Sequence, residues 1–309
     1  MVAANRIGSS VVTVGNYDGV HLGHQAIVRA LVSEARRRSV PSIAVLFDPH
    51  PTVVLGTKIP PLLTTPEERG RLIKGLGVDR VVIRKFTQDL AETPAKMFLL
   101  ELRNEYGMES LVVGPTTHLG KGRDGTPERL EEMGEEFGFD VNVVPQFFLN
   151  DEERVSSSEV RRSIEEGEME RARRLLGRFY RTHGTVVPGD ARGRQLGFPT
   201  ANVAGIPTML PLSGVYAVWA EAGGTLLPGA ANVGVRPTVK TGGSLGVEVH
   251  LLGYQGSLLG KDLPIFWGKR LREERKFSSL EELKAQIATD CGEAKTALSG
   301  LPKAVESES

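Results

Sequence analysis

Two imidazoles three positions apart, His21 and His24, are the first groups in this chain able to do chemistry, in a run reading Gly15-Asn-Tyr-Asp-Gly-Val-His-Leu-Gly-His24. Residues three apart on a helix share a face. The first turn of a helix also offers unpaired N–H groups and the positive end of the dipole, which suit a phosphate. Two imidazoles there could meet one anion and stabilise charge developing on it. The same string would also serve as a plain turn, bent at Gly15 and Gly19, with both histidines on the surface. The motif alone leaves both readings open.

Further stretches carry groups of the same kind. Phe47-Asp48-Pro49-His50-Pro51 is a proline-stiffened loop with an aromatic, an acid and an imidazole, readable as a binding loop or as a rigid turn. Gly114 to Gly125 is glycine-rich and basic, either a lid over phosphates or a solvated loop. Arg154-Val-Ser-Ser-Ser-Glu-Val-Arg161 brings hydroxyls and cations to a helix start, and a simple serine cap is the competing reading. Gly193-Arg194-Gln195-Leu196-Gly197-Phe198-Pro199-Thr200-Ala201-Asn202 places two neutral oxygen ligands, Thr200 and Asn202, on one side of an extended segment. Such oxygens, with phosphates and water, are what Mg²⁺ accepts; a β-bulge with a hydrogen-bonding Thr/Asn pair is the alternative. Glu248 and His250 share one face of an apolar strand, so Glu248 is either a general base or a solvated side chain.

These groups need elements to hold them. Val11–Val14 reads as a strand entering the His21/His24 loop, and Gln25–Ala35 as the helix leaving it, with Ile27, Leu31 and Ala35 on one face. Strands are expected at 42–47, 78–83, 110–113 and 141–144, and helices at 65–75, 93–106 and 127–137. Alternating strands and helices imply a parallel sheet covered on both faces, with ligands at the carboxyl ends of the strands. A charged helix over 159–174 leads through Gly177 to a different texture. Short β-rich runs at 184–187, 214–220, 230–233, 247–252 and 263–267, separated by Gly and Pro, argue for an all-β barrel or sandwich. A helix over 279–297, capped by Ser278 or Ser279, closes it with Leu283, Ile287 and Ala294 inward. The expected division is 1–178, 179–301 and a frayed tail at 302–309.

With 38 basic and 38 acidic side chains, no net charge draws the chain to nucleic acid or to a membrane surface. No apolar run reaches the length of a membrane span. One cysteine, Cys291, permits neither an internal disulfide nor a cysteine metal site, which fits the cytoplasm. Small-molecule partners and a monomer or weak homo-oligomer are expected.

The motifs in this order resemble the HxGH nucleotidyltransferases and, more closely, the bacterial bifunctional riboflavin kinase/FAD synthetases. Residues 15–24 resemble that family's G-x-[FY]-D-G-x-H-x-G-H, Phe47–Pro51 its F-x-P-H-P, and Arg154–Arg161 its R-[IV]-S-S-[ST]-x-[IV]-R. Gly193–Asn202 resembles G-[RK]-x-L-G-[FI]-P-T-A-N, Asn232–Thr238 the N-[VI]-G-x-[RN]-P-T segment, Glu248–His250 the E-x-H strand, and Leu271–Phe277 the L-R-x-E-x-x-F run.

The resemblance implies a Rossmann-like α/β domain joined to an all-β riboflavin kinase barrel with a terminal helix. It implies that His21 and His24 stabilise the transition state of adenylyl transfer. ATP contacts would come from Gly15, Asp18, Gly23, Arg154, Ser157, Ser158 and Arg161 in the first half, and Gly193, Arg194, Gly197, Thr200 and Asn202 in the second. Phe47, His50, Pro51 and Arg272 would meet flavin, Thr200 and Asn202 would hold Mg²⁺, and Glu248 would deprotonate the ribityl 5′-hydroxyl. Riboflavin would become FMN in the second half, and FMN become FAD in the first. One departure stands out: the family's G-x-[DN]-F-x-F-G loop is here Gly114-Pro-Thr-Thr-His-Leu-Gly120. Thr116 and Thr117 offer hydroxyls but neither charge nor ring. They motivate a second reading in which the first half only binds flavin or nucleotide, or regulates.

Overall fold

The computed structural model describes residues 8–150, 152–189, 193, 196–235 and 245–301. Arg194, Arg236–Thr238 and the tail 302–309 lie outside the described residues. The chain divides into two compact units, 1–156 and 157–309.

In the first unit β1 (Ser10–Val14), β2 (Ser42–Asp48), β3 (Arg80–Lys85), β4 (Met108–Val113) and β5 (Asp140–Val143) form a parallel sheet in the order β3-β2-β1-β4-β5. Side chains alternate across the sheet. Val12, Val14, Ile43, Val45, Leu111 and Val113 pack with α5 (Ala95–Tyr106) and α6 (Pro127–Phe137) on one face. Val11, Ala44, Leu46 and Val112 pack with α1 (Leu22–Arg38) and α3 (Pro66–Gly75) on the other. The helices at Pro66 and Pro127 have the expected threonine caps: Thr65 accepts from Glu68 N, and Thr126 from Arg129 N. The chain runs outward from β1 through β2 to β3, then returns to β4 on β1's other side. The switch point therefore lies between the carboxyl ends of β1 and β4, where doubly wound sheets bind ligands. The short helices α2 (Pro51–Val54) and α4 (Gln88–Ala91) follow β2 and β3, and β6 (Phe148–Leu149) and β7 (Glu153–Arg154) form a small hairpin.

The second unit opens with two helices, α7 (Ser157–Glu165) and α8 (Met169–Leu176), where one charged helix was expected. Gly167 breaks them apart, at φ 76°. A Cβ there would stand 2.8 Å from Arg270 Cδ, so the turn also needs glycine for space. Six antiparallel strands then close into a barrel: β8 (Tyr180–Val187), β9 (Ala201–Ala204), β10 (Gly214–Ala222), β11 (Thr225–Val235), β12 (Leu245–Leu251) and β13 (Asp262–Arg272). Their order is β10-β11-β12-β9-β8-β13. Trp267, fully buried, donates its indole N–H to Thr182 Oγ1 at 3.0 Å and so satisfies its one polar atom. The closing helix α9 (Leu280–Ser299) is capped by Ser279 and lays Ala294 and Leu298 against Ala217 and Ala230 of the barrel. Among the described residues no helix is long and apolar enough to cross a membrane.

Candidate active sites in the two units

His21 is the cap of α1 rather than part of it: its Nδ1 accepts from His24 N–H at 3.2 Å. Only an unprotonated nitrogen accepts, so the neutral ring carries its proton on Nε2. The two rings stack, with centroids 3.6 Å apart and planes 20° apart, and Tyr17 meets His24 edge-on at 5.1 Å. Gly23 makes this possible, because a Cβ there would lie 3.2 Å from the His21 ring.

The loop beneath is built under constraint. Tyr17 and Val20 both take positive φ, 49° and 40°, which a β-branched valine adopts only when its surroundings force it. One such restraint is Asp18, 3% exposed. Its carboxylate accepts from Leu63 N, Thr64 N and Thr64 Oγ1 at 3.0–3.2 Å, and Arg69 stands 3.8 Å away. Arg69, itself buried, also donates to the carbonyl and side chain of Asn16 at 2.7 and 2.8 Å. Through these bonds Asp18 ties the histidine loop to residues 63–64. A second restraint is Tyr17, whose hydroxyl bonds Thr13, which in turn donates to Val112 O. Burial pushes the Tyr17 hydroxyl pKa up to about 12, so it stays a donor. Gly15 leaves the space this ring needs: a Cβ would sit 2.8 Å from it.

Phe47 ends β2 in the core, edge-on to Phe86 at 5.3 Å. The Asp48–Pro49 peptide is cis, and His50 caps α2 through Nδ1, accepting from Thr52 N at 3.3 Å. A 250 Å³ cavity opens here between Phe47, Pro51, Leu55, Phe86, Leu90 and the loop residues His118 and Arg123. His50 does not line it. The glycine-rich loop, readable as a lid or as a solvated loop, is a knitted turn. Leu119 and Gly125 pair across it, Lys121 N–H donates to Thr93 O, and Asp124 accepts from Ala95 N at 3.2 Å. Leu119, at a position the family fills with an aromatic, is 7% exposed and packs with Phe47 and Phe98. Thr117 at the other such position accepts from Gly114 N at 3.1 Å. Arg154 belongs to the first unit, in β7, whereas Ser157, Ser158 and Arg161 open α7 in the second.

In the second unit one rung of the barrel carries the chemistry. Glu248 pairs with Asn202 of β9 on one side and Asn232 of β11 on the other. Directly paired residues project to the same face. Val247 and Val249 fill the interior, so Glu248 and His250 face outward, as the alternation requires. Two cavities flank this face. One, of 340 Å³, is lined by Glu248, Asn232, Arg272, Phe277, Leu283 and Ile287 among others. The other, of 300 Å³, runs along Val187, Gly189, Tyr254 and Leu258. Thr200 and Asn202 border both. Leu283 and Ile287 stay half-exposed because they line a cavity instead of packing on the barrel. Gly193 approaches closely, since a Cβ would lie 2.4 Å from Phe198 O and 3.2 Å from Thr200 Oγ1; Gly197 takes φ 87°.

Arg272 lines the cavity, but Asp290 of α9 takes its guanidinium in a two-point pair at 2.8 and 2.7 Å. Asp290 is 3% exposed, so this pair fastens the helix to the barrel. One contributor went unmarked in the sequence: Gly189 leaves room for Asn202, whose amide would lie 2.0 Å from a Cβ there. Asn232, which opens the 232–238 motif, donates to Glu274 at 3.1 Å. Strand pairing brings these residues together, because Val187 and Glu248 are the rung partners of Asn202 and Asn232 pairs with Glu248.

Fold and sites together define a two-unit enzyme of nucleotide phosphate chemistry, a parallel α/β unit with a capped histidine pair and a barrel unit with a strand-borne carboxylate beside neutral oxygens. Residues 4–159 match the FAD synthetase family model and residues 176–298 the riboflavin kinase model. The bifunctional riboflavin kinase/FMN adenylyltransferase of Escherichia coli K12 is 40% identical, over 91% of this chain and 90% of its own. That of Pseudomonas fluorescens is 40% identical over 92% of each chain, and that of Bacillus subtilis 34% over 95% and 94%. A solved Streptococcus pneumoniae structure, named a macrolide-efflux protein, superposes with a TM-score of 0.87 at 28% identity, over 95% of this chain and 96% of its own. The chain belongs to the family of bifunctional riboflavin kinase/FMN adenylyltransferases.

Proposed function

We propose that this chain makes FAD from riboflavin in two ATP-dependent steps, one in each unit. The observation that carries the kinase step is the rung Asn202–Glu248–Asn232, outward on the barrel between two cavities that share Thr200 and Asn202. Riboflavin fits the cavity with the apolar wall of Phe277, Leu283 and Ile287, and ATP fits the other. Glu248 accepts the proton of the ribityl 5′-hydroxyl as its oxygen bonds to the γ-phosphorus; the bond to the β-phosphate oxygen breaks and ADP leaves. Catalysis of this kind is mostly positioning and charge neutralisation.

Thr200 and Asn202 suit Mg²⁺ as neutral oxygen donors whose remaining partners would be phosphate and water. When bound, it would neutralise phosphate charge.

In the first unit an FMN phosphate oxygen attacks the ATP α-phosphorus and pyrophosphate leaves. His21, whose cap bond leaves Nε2–H as its donor, and His24 stabilise the charge that develops. Gly15 and Gly23 make room for the rings and Asp18 positions their loop, while Arg154, Ser157, Ser158 and Arg161 are assigned to the phosphates. The cavity at Phe47 and Pro51 takes the flavin, with Leu119 as an aliphatic wall. We assign residues 1–178 to adenylyl transfer and 179–301 to phosphorylation, and place both in the cytoplasm with ATP, riboflavin and FMN as partners.

Glu248→Ala should abolish FMN formation and leave adenylation of supplied FMN intact; normal phosphorylation by this variant would refute the assignment. Incubating the protein with FMN, ATP and Mg²⁺ tests the other half. Absence of FAD would favour the reading in which Thr116 and Thr117 leave a unit that only binds or regulates.

A further inference from the structure

The cavity beside Glu248 has a second carboxylate that the two-step reaction does not account for. Glu274 lies just past β13, exposed, on the lining of this cavity. Its Oε1 lies over the β11 backbone, 2.0 Å from where a Cβ on Gly234 would be. Asn232 Nδ2 donates to the same oxygen at 3.1 Å. Among the described residues no cation lies within ion-pair distance of Glu274. With Asn232 opposite Glu248 on the rung, three polar side chains run in a row along one cavity wall: Glu248, Asn232 and Glu274. Because Nδ2 of Asn232 points to Glu274, its Oδ1 is presented as an acceptor, like the carboxylates on either side. Phe277, Leu283 and Ile287 give the same cavity its apolar lining, and Arg272 and Arg275 line it too.

A line of acceptors in a cavity with apolar lining matches a molecule with a flat ring and a chain of hydroxyl donors. We propose that Asn232 and Glu274 are specificity-determining residues that bind the internal hydroxyls of the substrate's polyol chain, while Glu248 holds the terminal one. The inference rests on the kinase reading above. Asn232 takes the hydroxyl next to the reacting one, and Glu274 the one beyond. Glu274 thus fixes the chain both directly and by orienting the Asn232 amide. The row accordingly selects a polyhydroxylated chain over a plain alkyl chain ending in one hydroxyl.

The test compares riboflavin with a flavin of the same ring carrying a 5-hydroxypentyl chain, phosphorylated by the full-length protein. Wild type should favour riboflavin in kcat/KM by about 30-fold or more, since a site built to bond hydroxyls rejects an analogue lacking them. Glu274→Ala should lower kcat/KM for riboflavin about 10- to 100-fold, as loss of a charged hydrogen-bond partner does. For the hydroxypentyl flavin it should lower it less than about threefold. Glu274→Gln, which keeps the packing and a neutral acceptor, should fall between. Equal losses on both substrates, or an unchanged preference in both variants, would overturn the proposal and leave Glu274 a structural partner of Asn232. If wild type phosphorylated neither flavin, the kinase reading itself would fail.

Discussion

Asp18 gives the sharpest test of how the histidine loop is held. Asp18→Ala removes the acceptor for three buried donors, Leu63 N–H, Thr64 N–H and the Thr64 hydroxyl, and a carboxylate 3.8 Å from buried Arg69. Hydrogen bonds to a charged group contribute about 1.5–3 kcal/mol each, and their simple sum overshoots because such bonds are not additive. Breaking a buried pair costs about 3–5 kcal/mol, which we take as the expected loss. Asp18→Asn keeps one acceptor oxygen but turns an NH₂ towards a backbone N–H, donor against donor, and should cost about 2–3 kcal/mol. With an m-value of about 2 kcal/mol/M, the alanine variant should unfold about 1.5–2.5 M earlier in urea. The chain has two tryptophans, Trp219 and Trp267, both in β10 and β13 of the second unit. Far-UV circular dichroism reports helices of both units, whereas tryptophan fluorescence reports the barrel. The early transition should therefore appear by circular dichroism, and FAD formation should fall with it. An alanine variant whose dichroism midpoint stays within about 0.25 M urea of wild type would refute the clamp.

Four further outcomes are expected. His21→Asn keeps a good helix cap but no imidazole, so FAD formation should be lost with less than about 1 kcal/mol of stability; retained activity would reduce His21 to a cap. Gly189→Ala should cut riboflavin phosphorylation at least about tenfold, since a Cβ displaces the Asn202 amide, without slowing adenylation of FMN; normal FMN synthesis would show that Asn202 can move without loss. Asp290→Ala should cost about 2–4 kcal/mol in urea unfolding, because it leaves Arg272 beside α9 without its counter-charge; an unchanged midpoint would remove the fastening role. Arg37 and Arg38 hold the Glu34 carboxyl pKa down at about 2, against 4.5 ordinarily. A lowered folded-state pKa adds stability above pH 4.5 that is lost as pH falls towards 2. Melting temperatures between pH 5 and 2 should therefore drop more steeply for wild type than for Glu34→Gln.

Much of this architecture is legible in the chain itself. Pro127–Phe137 begins and ends where its capping threonine and glycine put it, and the period-two burial of β12 follows from Val247-Glu-Val-His. Cues that act across a few residues survive reading without a structure. What does not survive is contact between distant segments. Asp18 sits in a phosphate-site motif, and nothing local says that its oxygens go to residues 63–64. The charged stretch 159–174 has helical periodicity throughout, but the chain turns at Gly167 with φ 76° and starts a second helix. Nothing near Arg272 in the sequence says that Asp290, eighteen positions on, pairs with its guanidinium. Likewise, the loss of both aromatics from the glycine-rich loop reads as a defect until Leu119 is found packed against Phe98.

The closed barrel also governs how firmly Glu248 keeps its aim. Glu248 faces the cavity only while β12 keeps its register, because a slip of one residue would exchange every inward and outward side chain. An open sheet would leave an edge strand one neighbour to keep it in step. Here β12 is flanked by β11 and β9, and each supplies an asparagine to the same rung. The register that turns Glu248 outward is thus held by strand pairing on both sides.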